Sequence, residues 1–287
     1  MSVQLLLIQI ANGIGLGLLY FMLAAGLTIV FGLMGFVNLA HGAFYLVAAY
    51  ATYAIAGFTG SMWWALALAP LVTAAIAIVG EQVLLARTYR LSHDTQILVT
   101  LAIAIVLQEA VILFFGPFAL NVAPPEMLAG HIAIGMATYP VFRVAIVVVA
   151  LACCLGMWAL IDRTHFGALL RAGAEDHQML GALGIDVNRL WTFAFALGAL
   201  LAGLAGALAA PLRGLDPAMG HEALALAFVV VVLGGLGTLW GALIAALLIG
   251  LLQSIMSSLW PGGAYLMVYA AMVLVLLVRP RGLLGRG

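Results

Sequence analysis

The chain has 287 residues, of which 67% are hydrophobic and 7% charged; its formal net charge is +0 and Lys is absent. A water-soluble domain carries about a quarter charged residues, so no extended soluble domain fits this composition and lipid is the natural solvent. The neutral balance excludes a nucleic-acid partner or a polybasic lipid patch, and the lack of Lys excludes a G-x-x-x-x-G-K-[ST] nucleotide loop, so any ATP hydrolysis belongs to another chain.

Met1, Ser2, Val3 and Gln4 lack the basic start of a cleaved signal, so the first apolar run is expected to remain as an uncleaved anchor. A membrane-crossing helix needs ~20 predominantly apolar residues. By that measure the chain predicts an all-α, polytopic membrane helix bundle of about nine spans: 5–33, 39–57, 63–85, 97–115, 139–160, 191–211, a short 223–234, 241–259 and 264–278. Trp63, Trp64, Trp240 and Trp260 fall near span ends, as interfacial aromatics do. The 33 glycines cluster in the spans, a composition suited to close helix packing in lipid. Cys153 and Cys154 are adjacent in an apolar run and read as small packing residues.

Arginine sets the orientation. Arg87 and Arg90 share one loop, Arg163, Arg171 and Arg189 another, and Arg279, Arg281 and Arg286 follow the last span. An odd number of spans puts these three groups on one side, the cytoplasmic one. The N-terminus is then periplasmic and the C-terminus cytoplasmic, with Arg143, Arg213 and the loop containing Pro124, Pro125, Glu126 and His131 outside. The whole chain, 1–287, reads as one transmembrane domain with a cytoplasmic loop at 162–190.

Two junctions carry clustered glycines between apolar runs: Gly32, Gly35 and Gly42 in the first, Gly234, Gly235, Gly237 and Gly241 in the second. Each is followed by a helix rich in small residues. Glycine weakens a helix by ~1 kcal/mol relative to Ala, and breaks at matching positions of two halves point toward a transport site. The plainer reading is two tight turns at the cytoplasmic face.

The stretch 162–189 is too patterned for a passive linker. Asp176 suits an N-cap, with Glu175 and Asp176 at the positive end of a short helix. Met179, Leu180 and Leu183 share one face by i, i+3, i+4 spacing. Gly184 supplies a left-handed stop, and Ile185 closes back onto the last turn. So short a helix needs something to cover its apolar face.

Here the residues carry a resemblance. R-T-x-x-G-x-x-L-R-A-x-x-x-D from Arg163 to Asp176, then L-G-I-D-V, resembles the coupling segment of ABC importer permeases, and most closely those for branched-chain amino acids. Gly26 to Met34 with Val37 to Gly42, Val232 to Gly237 with Trp240 to Ala242, and Arg279 to Gly285 are similar to further motifs of that family, though Arg281 stands where Gln is common. The length matches the smaller of the two permease subunits. The resemblance implies a transport subunit rather than an enzyme, with no cofactor, in the bacterial inner membrane. It implies a second permease as heterodimer partner, two cytoplasmic ATPases and a periplasmic solute-binding protein. The substrate would be leucine, isoleucine or valine; relatives with similar permeases carry other amino acids, amides or urea. Asp176, Met179, Leu180, Leu183, Gly184 and Ile185 would form the ATPase-coupling surface, with Arg171 and Glu175 as rim charges that guide docking.

Asn12, Thr28, Asn38 and His41 are the candidates for lining the pathway, although Asn38 and His41 also suit the satisfaction of carbonyls freed by the glycines. Glu109, beside Gln108 in the fourth span, is ionisable at membrane depth. It reads either as an interhelical hydrogen-bonding group or, in the alternative of a self-contained ion-coupled transporter or channel, as the coupling site. Glu81 is placed to reach the interface or an Arg. Ser92-His93-Asp94 and His221-Glu222 have catalytic residue types without the geometry or the further ligands that a triad or a zinc site requires.

Overall fold

The structure, a computed structural model, describes residues 3–89, 91–134 and 137–285. Arg90 and Arg286, used above in placing the charge, lie outside them. The helices are α1 (Val3–Met34), α2 (His41–Thr59), α3 (Met62–Val83), α4 (His93–Phe115), α5 (Val141–Arg163), α6 (His165–Glu175), α7 (His177–Ala182), α8 (Val187–Arg213), α9 (Met219–Gly234), α10 (Leu239–Leu259) and α11 (Ala264–Val278). A small antiparallel hairpin, β1 (His131–Ile134) paired with β2 (Ala137–Pro140), sits in the α4–α5 connection, and an isolated antiparallel bridge joins Leu120 to Leu215. Among the described residues, eight helices are long and apolar enough to cross a membrane. The other apolar helix, α9, has 16 residues, about 24 Å at 1.5 Å per residue.

The core is built on α1 and α8, which cross where Gly26 meets Gly198. A Cβ at Gly26 would stand 2.6 Å from the Gly198 carbonyl oxygen, so only a bare Cα permits this approach. α10 packs along α1 through Gly13, Gly17 and Gly250, and α3 packs along α8 through Gly203, which abuts Pro70 and Thr73. α2 lies on α8, with Gly206 against Tyr45, and α9 lies on α1. Exchanging α1, α2 and α3 for α8, α9 and α10 turns each of these contacts into another of the set, with every helix reversed in direction. The bundle is therefore two inverted halves, joined through α4, α5, α6 and α7.

The halves meet at their broken segments. α1 ends at Met34, the chain turns at Gly35 (φ +73), and it returns to the bundle centre before α2 begins. There Asn38 Oδ1 accepts the Ala40 N–H at 3.0 Å, and the Asn38 carbonyl accepts the His41 N–H. The other half repeats this turn: Asp216 Oδ1 accepts the Ala218 N–H at 2.7 Å, and the Asp216 carbonyl accepts the Met219 N–H. Asn38-Leu39-Ala40-His41-Gly42 thus corresponds to Asp216-Pro217-Ala218-Met219-Gly220. Gly42 and Gly220 touch, with Leu46 on Gly220 and Leu224 on Gly42, so α2 and α9 start side by side and run in opposite directions.

This corrects the expected echo between the two glycine-rich junctions. Of those glycines, Gly35, Gly235 and Gly237 have positive φ and break the backbone. Gly32, Gly42 and Gly241 lie inside helices, and Gly234 is the last residue of α9. Lack of a side chain serves close approach at three of them: Gly234 against Gly241 closes the α9–α10 turn, and Gly42 meets Gly220, whereas a Cβ at Gly32 would be in ordinary contact with Gly237. Residues 279–285 complete that end. Leu283 N–H donates to the Leu233 carbonyl at 2.8 Å and Leu284 N–H to that of Gly234 at 3.1 Å, covering carbonyls that the end of α9 leaves without intrahelical partners.

Candidate functional site

The end of the bundle that holds the α9–α10 turn also holds the 162–190 segment. Thr164 Oγ1 caps α6 by accepting the Gly167 N–H at 3.2 Å. Gly167, Leu170 and Gly173 form the buried stripe of α6. Gly167 lies against the Leu160 and Ile161 carbonyls at the end of α5, and Gly173 against Leu33, Leu180 and Leu190. Asp176 then caps α7, its Oδ1 accepting the N–H groups of Gln178 and Met179, each at 2.9 Å. Gly184 (φ +81) ends the segment, and Ile185 N–H returns to the Leu180 carbonyl at 3.2 Å.

Several expectations change here. α6, eleven residues long, was not foreseen as a helix. The three residues expected to share an apolar docking face are divided: Leu180 is 5% exposed and buried within this chain, whereas Met179 is 62% and Leu183 68% exposed. Leu180 anchors α7 onto α6 and the start of α8; it is not available to a partner. Ile185 is also partly buried against the core. Arg171 donates to the Ile161 carbonyl and lies 3.6 Å from Asp162, so it staples α6 to α5 rather than standing free as a rim charge. Glu175 and Asp176 remain exposed.

A cavity of about 330 Å³ and a wider one of about 850 Å³ sit at opposite ends of α1. The wider is walled by Thr28 and Gly32 of α1, by Asp162, Arg171 and Glu175, and by the α9–α10 turn. The smaller contains Asn12, whose Oδ1 accepts from Arg143. Thus Asn12 and Thr28 line open space, although Thr28 Oγ1 donates to its own helix at Ala24. Asn38 and His41 do not. Both are fully buried; Asn38 closes the central turn, and His41 Nε2–H donates to the Leu23 carbonyl at 2.8 Å. Their role is to satisfy backbone in the broken region.

Near the same end as α6, Glu81 is buried and accepts hydrogen bonds from Tyr89 Oη and, at 2.8 Å, from Thr192 Oγ1. It ties the end of α3 to the start of α8 without the arginine or water contact foreseen for it. Burial, then the neighbouring Glu81 carboxylate, pushes the Tyr89 hydroxyl pKa upward, so Tyr89 keeps the proton it donates to Glu81. Glu109 faces outward from α4 among Ile105, Val106 and Leu113, and makes no hydrogen bond or ion pair among the described residues.

The family described as "Branched-chain amino acid transport system / permease component" matches residues 9–277. The chain belongs to this family of branched-chain amino acid permeases. It is 32% identical to the high-affinity branched-chain amino acid transport system permease protein LivH of Escherichia coli (strain K12), covering 97% of this chain and 95% of LivH. Identity to BraD of Pseudomonas aeruginosa is 31% over the same shares. The permease protein LivM of Salmonella typhimurium is 30% identical over 93% of this chain and 68% of LivM. No solved structure matches the chain.

This permease is the membrane subunit of an ABC importer, a transport component and not an enzyme, and a multi-pass protein of the bacterial inner membrane. Membership implies an assembly with another permease, ATPases and a binding protein. Sequence reasoning missed the Asp216–Gly220 turn and assigned Arg143 and Arg213 no role beyond orientation. The signal available for the turn was an Asn or Asp two residues before Ala and four before Gly.

Proposed function

We propose that this permease carries leucine, isoleucine or valine inward as one half of a heterodimeric pathway, and that α6 and α7 receive the motion of two cytoplasmic ATPases. The observation that carries this reading is the form of the 162–190 segment. It is a capped helix pair, anchored through Leu180, Gly167 and Gly173 to α5, α8 and α1, with Met179 and Leu183 left uncovered. Exposed apolar side chains on a braced rod suit a groove in a partner, and the bracing turns a push on α7 into displacement of the core.

Counting α9 as a crossing gives nine, α1–α5 and α8–α11. The end bearing Arg87, Arg163, Arg171, Arg189, Arg279 and Arg281 is then cytoplasmic, the N-terminus is periplasmic, and the whole chain acts as one permease domain. α9 is short because it starts inside the bundle at the Asp216 turn. Substrate class comes from LivH, BraD and LivM, whose names state branched-chain amino acid transport. The ion-coupled alternative is disfavoured by Glu109, which faces away from the core and lines neither cavity described above.

The test is the double variant Met179→Asp, Leu183→Asp. We expect the permease to assemble in the membrane but to lose ATPase co-purification by tenfold or more, together with ATP-driven uptake. Unchanged ATPase association would reject the coupling assignment. Uptake by this chain alone, driven by an ion gradient, would favour the alternative.

A further inference from the structure

The cavity at the end opposite α6 sets a cationic, amide-bearing side against an aliphatic one. It lies between the first half of α1, the start of α5, the end of α8 and the second half of α10. Two guanidiniums reach it, Arg143 and Arg213. Among the described residues neither has a carboxylate within 4.0 Å, and no Asp or Glu lines the cavity. Arg143 is held by Asn12 Oδ1 and the Tyr139 hydroxyl, and Arg213 by the hydroxyls of Tyr45 and, at 2.9 Å, of Tyr265. These neutral acceptors aim the cations without neutralising them.

The amides around them are turned the same way. Tyr20 Oη donates to Gln253 Oε1 at 2.6 Å, Arg143 occupies Asn12 Oδ1, and Ser254 Oγ is 2.7 Å from Gln9 Oε1. The acceptor ends of Gln253 and Asn12 are thus engaged inside the protein and their NH₂ ends remain for a ligand, whereas the single Ser254 proton is shared between Gln9 Oε1 and the Gln9 carbonyl at 2.8 Å. A wall of donors with two unpaired guanidiniums favours an anion, and the planar fork of Arg suits a carboxylate. Leu16, Leu19, Ile146 and Leu212 add an aliphatic side to the lining, and Tyr139 and Ser257 add hydroxyls. The volume, about 330 Å³, is at the small end of ligand cavities, which run ~300–1,000 Å³, and fits one small molecule.

We propose that this cavity is a carboxylate-recognition site, in which Arg143 and Arg213 take the α-carboxylate of a free amino acid while the leucines and Ile146 hold its aliphatic side chain. The inference rests on the permease reading and its outward orientation. It adds a selective site inside the membrane subunit, so that the solute is checked again after release from the binding protein.

The test uses the assembled permease–ATPase complex in nanodiscs of neutral lipid, without binding protein, read by saturation-transfer NMR. Leucine, 4-methylpentanoate (carboxylate, no amine) and leucinol (amine, no carboxylate) are compared. The expected result is that leucine and 4-methylpentanoate bind and compete, with leucinol at least tenfold weaker. Arg143→Gln and Arg213→Gln should each weaken leucine tenfold or more, with partial recovery in Arg143→Lys and Arg213→Lys. Equal binding of leucinol and leucine, or full binding in both Gln variants, would overturn the proposal. So would Gln variants that keep leucine but lose the binding protein, since the arginines would then serve an acidic protein surface. If Arg213→Gln does not assemble, Arg143→Gln and the native ligand series decide. Native uptake with binding protein and ATP separates the two readings: transport without cavity binding defeats only this inference, whereas no branched-chain transport defeats the substrate assignment.

Discussion

α1 and α4 are both strongly apolar, yet they occupy different environments. The most apolar stretch of α1 is 83% buried inside this chain, that of α4 only 22%. Hydropathy reports that a helix belongs in the membrane and is silent on what it touches there. The difference lies in the small residues. α1 carries Gly13, Gly17 and Gly26 at contacts with α10 and α8, whereas α4 has no glycine and presents Leu98, Ile105, Val106 and Leu113 outward. In lipid, where apolar burial gives little net drive between helices, close backbone approach is what orders the bundle.

The sharpest way to break this contrast is at the centre. Gly42→Leu has no space against Gly220 and Leu224, and we expect no folded permease by size-exclusion chromatography in detergent; Gly42→Ala, whose Cβ would stand 2.1 Å from the Gly220 carbonyl oxygen, should already destabilise by ~3 kcal/mol or more. A peripheral glycine gives the opposite: a Cβ at Gly156 in α5 meets nothing within 4 Å, so Gly156→Ala should leave thermal stability unchanged or raise it by up to ~1 kcal/mol. Between these, Glu81→Leu removes the acceptor that the Tyr89 and Thr192 hydroxyls share, and stability should fall by ~1–3 kcal/mol. Asp176→Ala removes the cap of α7 and should cost ~1 kcal/mol locally, read as faster amide exchange over residues 177–183 with the core unchanged.

Much of this was legible in the chain. The nine apolar runs agree with the helices to within about four residues at their ends, because hydropathy and polar breaks act locally. Asp176, Gly184 and Ile185 were legible for the same reason: capping is a property of neighbouring residues. Where Leu180 points was not, since it depends on Gly173 and Leu190 arriving from two other helices. α6 was hidden because its buried stripe includes two glycines, which hydrophobic periodicity does not register. The inverted repeat was hidden because Asn38-Leu39-Ala40-His41-Gly42 and Asp216-Pro217-Ala218-Met219-Gly220 share a hydrogen-bonding pattern and little identity. The glycine-rich junctions, more alike to the eye, belong to different structural roles.

The tail that closes α9 has a consequence for biogenesis. Leu283 and Leu284 supply backbone donors to the Leu233 and Gly234 carbonyls, yet they leave the ribosome only after α10 and α11. The end of α9 can therefore be completed only after α10 and α11 have been made. A chain cut short before residue 283 keeps every apolar helix but leaves the Leu233 and Gly234 carbonyls without these donors.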